Sequence, residues 1–324
     1  MAIFLNFYFA PILPCQAMLH IVQKIGGNYI QVIYDSSTAY ATALFHKLQE
    51  ETTTSDRHKV CIAQSIAITP HKKVSQYKYI VDKLRDKSAA RIIIVILHIE
   101  EIKKVMGAIL PQLTSDDNFL FLASEGWGRR QEIIDGKTRL QGSLVLAQEI
   151  AVDKVFEQHF ASLKPSESHN PWLNRFWEAR LNCYMNKSFR RKGKAGPCPE
   201  NVGEDYKQDS LVPLCIQSTY AVVKGFDAAL RQHCGRQASS TCESLNSSLL
   251  VSAMHDVQLD LYSTGQTSRV FDANGDGLVE YKVLEVSRDL TGGGNELIYK
   301  DVRINIVLLL VCSRVLARSL EKRK

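Results

Sequence analysis

A four-residue turn, Ser124-Glu125-Gly126-Trp127, carries the side chains best suited to binding chemistry. A carboxylate such as Glu125 can pair with the ammonium group of a small ligand, and the glycine beside it allows a close approach. An ordinary turn at the end of a strand explains the same residues equally well. The residue types alone therefore leave a ligand site and a simple turn as equal alternatives.

A second candidate, Asp272–Gly277, resembles the first half of a calcium-binding loop. Such a loop needs a bidentate carboxylate at its twelfth position, and that position holds Val283. The residues on both sides follow the pattern of strands rather than helices. The sequence favours a β-hairpin that turns at Asn274–Gly277, and no metal site is expected.

Motifs of enzymatic catalysis are absent from the sequence, which contains neither GxSxG nor HExxH. His98, Glu100 and Glu101 follow an apolar strand and could face a cleft. A lone histidine with exposed carboxylates at the start of a helix is more typical of capping and of a favourable interaction with the helix dipole. We therefore expect no enzyme and no cofactor.

The elements that would position the Ser124–Trp127 turn alternate regularly between Cys15 and Ser124. Short apolar strands are predicted over 28–34, 60–68, 90–97 and 118–124, with helices over 15–26, 40–51, 77–87 and 100–113. This alternation is typical of a parallel sheet that is covered on both faces. Ligands of such sheets bind at the carboxyl ends of the strands, where the loops 34–40, 97–101 and 124–128 are expected.

The second half of the chain changes to longer helices. One helix contains Phe156 and Phe160, one spans 171–182 and one spans about 212–233. Pro171 suits a first helical turn, and the i, i+4 spacing of Trp172 and Phe176 predicts one large aromatic face. This pattern indicates a second lobe whose strands are partly missing.

Eight cysteines, more than is usual for a cytosolic domain of this length, indicate an oxidising compartment. Cys183 and Cys198 bracket one polar loop, and Cys234 and Cys242 bracket another. Their spacing fits local disulfides better than a zinc site. Glycosylation sequons at Asn186 and Asn246 lie beside these loops and point to the same extracellular setting.

Charge and the chain ends limit the remaining function classes. The net charge of +6 is concentrated in Lys187–Lys194 and Arg318–Lys324, which favours a solvated loop and tail over a nucleic-acid surface. Residues 1–14 are apolar but lack the features of a signal peptide, and Ile306–Cys312 is too short to span a bilayer. We expect a fragment with an extracellular interior.

Several segments resemble the extracellular ligand-binding domain of metabotropic glutamate receptors, which are class C G-protein-coupled receptors. They cover about residues 15–285 and read NPWLNRFWEARLNC, QAMLHIVQKIGGNYIQVIY, CIAQSIAI, ARIIIVIL, FLASEGWG, EDYKQDS, STYAVVKGFDAALRQHC and RVFDANGDG. The resemblance implies an α/β fold of the type I periplasmic-binding-protein class, a clamshell of two lobes. It places a divergent N-terminus at 1–14, a lobe-2-like domain at 15–145, the later half of a lobe-1-like domain at 146–290 and a divergent tail at 291–324.

The resemblance also implies roles for individual residues. Tyr40, after one inserted residue, and Glu125 match a tyrosine and an acid that hold the ligand ammonium group, so the expected ligand-binding residues are Tyr40, Ser124, Glu125 and Gly126. The disulfides implied are Cys183–Cys198 and Cys234–Cys242. Cys61 matches a cysteine that bonds to a downstream cysteine-rich domain, and it is therefore expected to be unpaired here.

The expected ligand is a small amino-acid-like molecule, with impaired recognition of glutamate. Leu211 stands where the family has a lysine that pairs with the distal carboxylate, and His98 and Ile99 also depart from the family pattern. The parent protein is expected to be a homodimer in the plasma membrane that couples to a G protein. A soluble amino-acid-binding module and the product of a truncated gene remain the alternatives.

Overall fold

The structure is a computed structural model of the 324-residue chain. It describes residues 12–54, 59–71, 73–149, 152–164, 167, 169–185, 196–199, 208, 211–235, 246–260, 267–272, 275, 277–278, 280–289 and 296–302. These residues form two compact units. Unit 1 comprises Met1–Glu149 and Phe271–Lys324, and unit 2 comprises Ile150–Val270.

The described elements are numbered in chain order. The α-helices are α1 (Ile12–Lys24), α2 (Ala39–Thr54), α3 (Tyr79–Asp86), α4 (Ile99–Ile109), α5 (Gln131–Ile134), α6 (Lys154–Ser162), α7 (Pro171–Arg180), α8 (Leu211–Cys234) and α9 (Ser247–His255). The strands are β1 (Tyr29–Asp35), β2 (Cys61–Ile68), β3 (Ile92–Ile96), β4 (Leu120–Ala123), β5 (Leu144–Glu149), β6 (Gln258–Leu259), β7 (Ser268–Arg269), β8 (Glu280–Arg288) and β9 (Leu297–Val302). Short 3₁₀ turns lie at Val74–Tyr77, Leu110–Gln112 and Thr138–Leu140.

Unit 1 is built on a seven-stranded sheet in the order β2-β1-β3-β4-β5-β8-β9. The first five strands in this order are parallel, whereas β8 pairs antiparallel with both β5 and β9. The order reverses direction at β1, where the chain crosses from β2 on one side to β3 on the other. The mixed α/β architecture with a mostly parallel sheet confirms the fold class expected from the sequence.

Burial explains why the parallel strands are short apolar runs. Every residue of β3 is buried, as expected for a central strand that is covered on both faces. One face packs on α3, α4 and the turn at Val74–Tyr77, and that core includes Ile33, Val95 and Leu284. Ile30 and Val32 point to the opposite face and are also buried. The apolar strands therefore hold the carboxyl edge of the sheet in place.

The last part of unit 1 differs from the sequence prediction. The chain does reverse near Asp272, since Phe271 and Gly277 form an antiparallel bridge. The prediction of a hairpin is wrong, however, because β8 pairs with β5 and β9 instead of the strand before it. Residues 297–302, which were expected to belong to a divergent tail, form β9. Local patterns cannot specify which distant strands will pair.

Unit 2 is mainly helical in its described part. Asn170 caps α7 by accepting a hydrogen bond from the Trp172 amide, as suits a helix that starts with proline. The expected face of Trp172 and Phe176 is largely exposed, while Leu173 and Trp177 are the buried pair. In the described part of the chain no helix is both long and apolar enough to cross a membrane.

Candidate functional site

The turn Ser124–Trp127 closes tightly after β4, at the carboxyl edge of the sheet. The Ser124 amide donates to the Val95 carbonyl at 3.0 Å, and the Trp127 amide donates to the Ser124 carbonyl at 3.1 Å. A Cβ atom at Gly126 would overlap the Leu97 carbonyl oxygen. The close approach expected at this glycine is therefore made by the protein's own backbone.

Trp127 anchors the far end of this turn in the core. Its side chain is fully buried, and its Nε1 donates to the Tyr299 hydroxyl at 2.8 Å. That hydroxyl donates in turn to the Arg130 carbonyl at 2.9 Å. Since Tyr299 belongs to β9, the edge strand of the sheet helps to fix the turn that carries Glu125.

Glu125 is a buried carboxylate to which no other described residue donates a hydrogen bond. Both Oε1 and Oε2 are shielded from solvent, and neither has a partner among the described residues. Burial raises the pKa of Glu125 to about 7. A buried acid with two unused acceptor oxygens suits a bound ammonium group, which would supply the missing donors and a counter-charge.

Tyr281, which the sequence did not single out, lies close enough to Glu125 to sense its charge and is hydrogen-bonded to Gln148. Gln148 on β5 and Tyr281 on β8 are directly opposed partners in the sheet. Burial raises the pKa of Tyr281 well above its usual value; the nearby Glu125 charge adds to this, and the Gln148 amide opposes it. Gln148 stands near the end of the largely apolar strand β5 and Tyr281 near the start of the mixed strand β8, and neither position alone reveals a site in the sequence.

Tyr40 lies at the same edge of the sheet as Glu125. It follows β1, which is two strands from β4 in the sheet order, so the two strand ends are about 10 Å apart. The loop before it is well fixed: Asp35 Oδ1 accepts from the amide and hydroxyl of Ser37, and Ser36 bonds to the Ile68 carbonyl. Tyr40 is half-buried. The sheet thus brings the expected ligand residues to one edge.

The acidic start of α4 differs from the sequence expectation. His98 is exposed and its side chain makes no cap, but its carbonyl accepts from the amides of Glu101 and Ile102. Glu101 is buried rather than exposed, and its carboxylate accepts from the Tyr77 hydroxyl and from Lys104 Nζ. Burial acts to raise the pKa of Glu101, but these bonds hold it below its usual value. Glu101 is thus a structural acid, unlike Glu125.

Three described cysteines of unit 2 are disulfide-bonded, whereas Cys215 on α8 is a free and exposed thiol. A bond joins Cys183 to Cys198, the first expected pair. Cys234 is also disulfide-bonded, while its expected partner Cys242 lies outside the described residues. Cys61, on β2 in unit 1, is a free and exposed thiol.

Of the two sequons, Asn186 lies outside the described residues. Asn246 is exposed and caps α9, and its Oδ1 accepts from the amide and hydroxyl of Ser248. Within the described ranges, no group of three or more His, Cys, Asp or Glu side chains is placed to hold a metal ion.

Comparison with known proteins places the chain among receptors. Residues 5–289 match the family described as "Receptor family ligand binding region". Metabotropic glutamate receptor 4 of Mus musculus is 24% identical over 226 residues, which cover 68% of this chain and 24% of the receptor. Metabotropic glutamate receptor 6 of Oryctolagus cuniculus is 24% identical over 281 residues, covering 83% of this chain and 32% of the receptor.

A more distant animal gives the same result. The metabotropic glutamate receptor of Drosophila melanogaster is 21% identical over 248 residues, covering 70% of this chain and 25% of the receptor. The chain thus spans about a quarter to a third of the length of these relatives. The match to the family extends over both units, and the chain belongs to the receptor family ligand-binding region, in the form found in metabotropic-glutamate-receptor-like class C receptors.

Proposed function

We propose that the chain binds a small amino-acid-like ligand as the ligand-binding region of a receptor, and that Glu125 receives the ligand's ammonium group. The buried, unpartnered carboxylate of Glu125 is the observation that carries this proposal. Its position after β4 supports it, because parallel sheets bind ligands at their carboxyl edge. Tyr40, Ser124 and Gly126 complete the proposed ligand-binding residues.

The whole receptor would couple binding to signalling. We propose a homodimeric plasma-membrane protein that couples to a G protein, with this region extracellular, glycosylated at Asn186 and Asn246, and not an enzyme. The family match and the disulfide between Cys183 and Cys198 support an extracellular setting. Within it, we propose a lobe-2-like domain over 15–145 and part of a lobe-1-like domain over 146–290.

The binding proposal is tested by a titration. Each of the twenty L-amino acids is titrated calorimetrically into the full chain, and the strongest binder is then titrated into Glu125→Gln. Replacing the charged acceptor with a neutral amide of the same shape should weaken binding about tenfold to a hundredfold. Glu132→Gln is the matched control, since Glu132 is an exposed carboxylate on α5 that pairs with Lys103.

Two results would contradict the proposal in different ways. If none of the amino acids binds the wild-type chain, the function is wrong. If one binds and Glu125→Gln retains the wild-type affinity, the function stands but Glu125 is not the ammonium site. Weakening by Glu132→Gln to the same degree would show a general charge effect and would also remove the role assigned to Glu125.

Glutamate is proposed to be a poor ligand of this chain. In the family, a lysine pairs with the distal carboxylate of bound glutamate. Leu211 stands in its place, so this carboxylate would be buried without a counter-ion. L-Glutamate should therefore bind more weakly than a neutral amino acid of similar size. Leu211→Lys should raise the affinity for L-glutamate about tenfold and leave that for L-glutamine nearly unchanged. Equal gains for both amino acids would contradict this interpretation.

A further inference from the structure

The edge strand β9 is tied to the chain segment that follows Glu125, residues 127–131. Three positions of β9, each two residues from the next, bond to this segment. The bonded pairs are Leu297 with Gln131, Tyr299 with Trp127 and Arg130, and Asp301 with Arg129. Docking of β9 and the position of segment 127–131 therefore depend on each other.

Tyr299 fixes two points of this segment. Its hydroxyl accepts from Trp127 Nε1 at 2.8 Å and donates to the Arg130 carbonyl at 2.9 Å. The ion pair between Arg129 and Asp301 is half-exposed on both sides, so that it adds little to stability. Release of β9 would therefore free the segment chiefly through loss of the Tyr299 hydroxyl.

β9 lies at the end of the sheet. It comes last in the strand order, and the strand with which it pairs is β8. Of its six residues, Leu297 is the one that is fully buried. Local opening of such an edge strand needs less free energy than unfolding of the core strands. We therefore expect β9 to detach from the sheet without unfolding of unit 1.

Glu125 makes this opening sensitive to charge. It precedes Trp127 by two residues, and both of its carboxylate oxygens are shielded from solvent. When β9 detaches, Trp127 loses its bond to Tyr299, and the turn Ser124–Trp127 is free to open to water. Water stabilises a charged carboxylate better than the buried turn does. A charge on Glu125 therefore favours the detached state of β9 over the docked one.

We propose that β9 is a pH-dependent strap, which stays docked while Glu125 is protonated and detaches more often once Glu125 is charged. Burial raises the pKa of Glu125 to about 7 in the docked state, and hydration in the open state returns it toward 4.5. The opening constant is the ratio of detached to docked β9. It is level below pH 4.5, rises by at most about 300-fold up to pH 7 and is level again above it. The strap responds to the proton without any ligand, so this inference goes beyond the proposed function.

Other titratable groups surround the turn and decide which controls are needed. They are His98 before α4, Arg129 and Arg130 after the turn, Glu132 and Asp135 at α5, Tyr281 on β8 and Asp301 on β9. Tyr281 stays neutral at neutral pH, because burial raises its pKa well above the usual value. Histidine side chains commonly change charge between pH 5 and pH 8. His98 is therefore the neighbour whose titration must be distinguished from that of Glu125.

Hydrogen exchange of the ligand-free full chain tests the strap. Mass spectrometry measures the protection factors of β9 and of the central strand β3 at pH 5 and pH 8, each corrected for the intrinsic exchange rate at that pH. In the wild type the protection factor of β9 should fall at least about tenfold from pH 5 to pH 8, while β3 stays more protected than β9 at both. In Glu125→Gln, which carries no charge at this position, it should change less than about threefold.

Two further variants complete the test. His98→Gln should keep the wild-type pH dependence, since the His98 side chain is exposed. Tyr299→Phe should lower the protection factor of β9 about tenfold at pH 5 and leave that of β3 unchanged, because Trp127 and Arg130 lose their bonds to the hydroxyl. The same pH dependence in the wild type and in Glu125→Gln overturns the inference. Loss of the dependence in His98→Gln, wild-type protection in Tyr299→Phe, or equal falls of β3 and β9 overturns it as well.

Discussion

Glu125 and Glu101 are two buried acids of unit 1 whose surroundings shift their pKa values in opposite directions. No other described residue donates a hydrogen bond to Glu125, and burial favours its neutral form. Glu101 accepts hydrogen bonds from Tyr77 and Lys104, which favour its charged form. A fold keeps an unpaired buried acid at a cost in stability, which is common where a residue serves binding. The two acids therefore give opposite dependences of stability on pH.

For Glu125 the pKa is 4.5 in the unfolded chain and about 7 in the folded protein. The folded state thus binds the proton of Glu125 more tightly than the unfolded chain does. The stabilisation that this proton gives is complete below pH 4.5 and is lost as the pH rises to 7. The loss is at most about 3 kcal/mol. We expect Glu125→Gln to have the higher free energy of unfolding at pH 8, and the difference to shrink toward pH 4.5. Urea titrations at both pH values measure it.

Glu101→Gln is the control with the opposite sign. The charged form is favoured in the folded state, so its stabilisation is present at neutral pH and is lost as the pH falls through the lowered pKa. This variant should be less stable than the wild type at pH 8 by about 2 kcal/mol. If both variants shift the free energy of unfolding in the same direction at pH 8, the assignment of Glu125 as an unpaired acid is wrong.

At the scale of elements, the position of the Ser124–Trp127 turn depends on the contact between two successive strand ends. Gly126 packs against the carbonyl of Leu97, at the end of β3. Trp127 is bonded to Tyr299 on β9. The turn is thus held from both sides of β4, so that the backbone of Glu125 has little freedom to move. Rigid placement of a binding group lowers the entropy lost when a ligand binds.

Two glycine substitutions test this packing. Gly126→Ala should lower the free energy of unfolding by about 2 kcal/mol, because its methyl group would overlap the Leu97 carbonyl. Gly107→Ala, within α4, should raise it by about 1 kcal/mol, because its Cβ meets only a methyl group of Val74 at 3.7 Å and alanine favours a helix. Denaturant unfolding measures both. Equal changes in the two variants would contradict the tight contact at Gly126.

The sequence predicted the first part of the fold better than the rest. Strands β1 to β4 are apolar runs between amphipathic helices, so their existence and parallel order follow from local patterns. The pairing of β8 with β5 and the addition of β9 depend on contacts between distant residues, which no local pattern contains. For the same reason Glu125 was a candidate from the sequence, but Tyr281, which lies near it, was not.

At the scale of the whole molecule, the chain divides into two compact units. The large core of unit 1 contains none of the buried residues of unit 2, such as Leu173 and Trp177. The described disulfide-bonded cysteines, Cys183, Cys198 and Cys234, all belong to unit 2. The two units are therefore expected to respond differently to reduction.

We expect reduction to destabilise unit 2 alone. A disulfide that closes a loop of 15 residues contributes about 3 kcal/mol. Calorimetric scans of the chain should show two transitions. Dithiothreitol should lower the midpoint of the transition in which Trp177 becomes exposed and leave unchanged the midpoint of the transition in which Trp127 becomes exposed. Tryptophan-to-phenylalanine variants at these two positions assign the fluorescence. A single transition, or equal shifts of both, would contradict this expectation.

The central claim is that Glu125 binds the ammonium group of an amino-acid-like ligand. A crystal structure of the full chain with the amino acid that binds most tightly tests it most directly. We expect the ligand nitrogen within about 3 Å of a Glu125 carboxylate oxygen, at the carboxyl edge of the sheet. A ligand bound elsewhere, with the Glu125 carboxylate still without a partner, would contradict it.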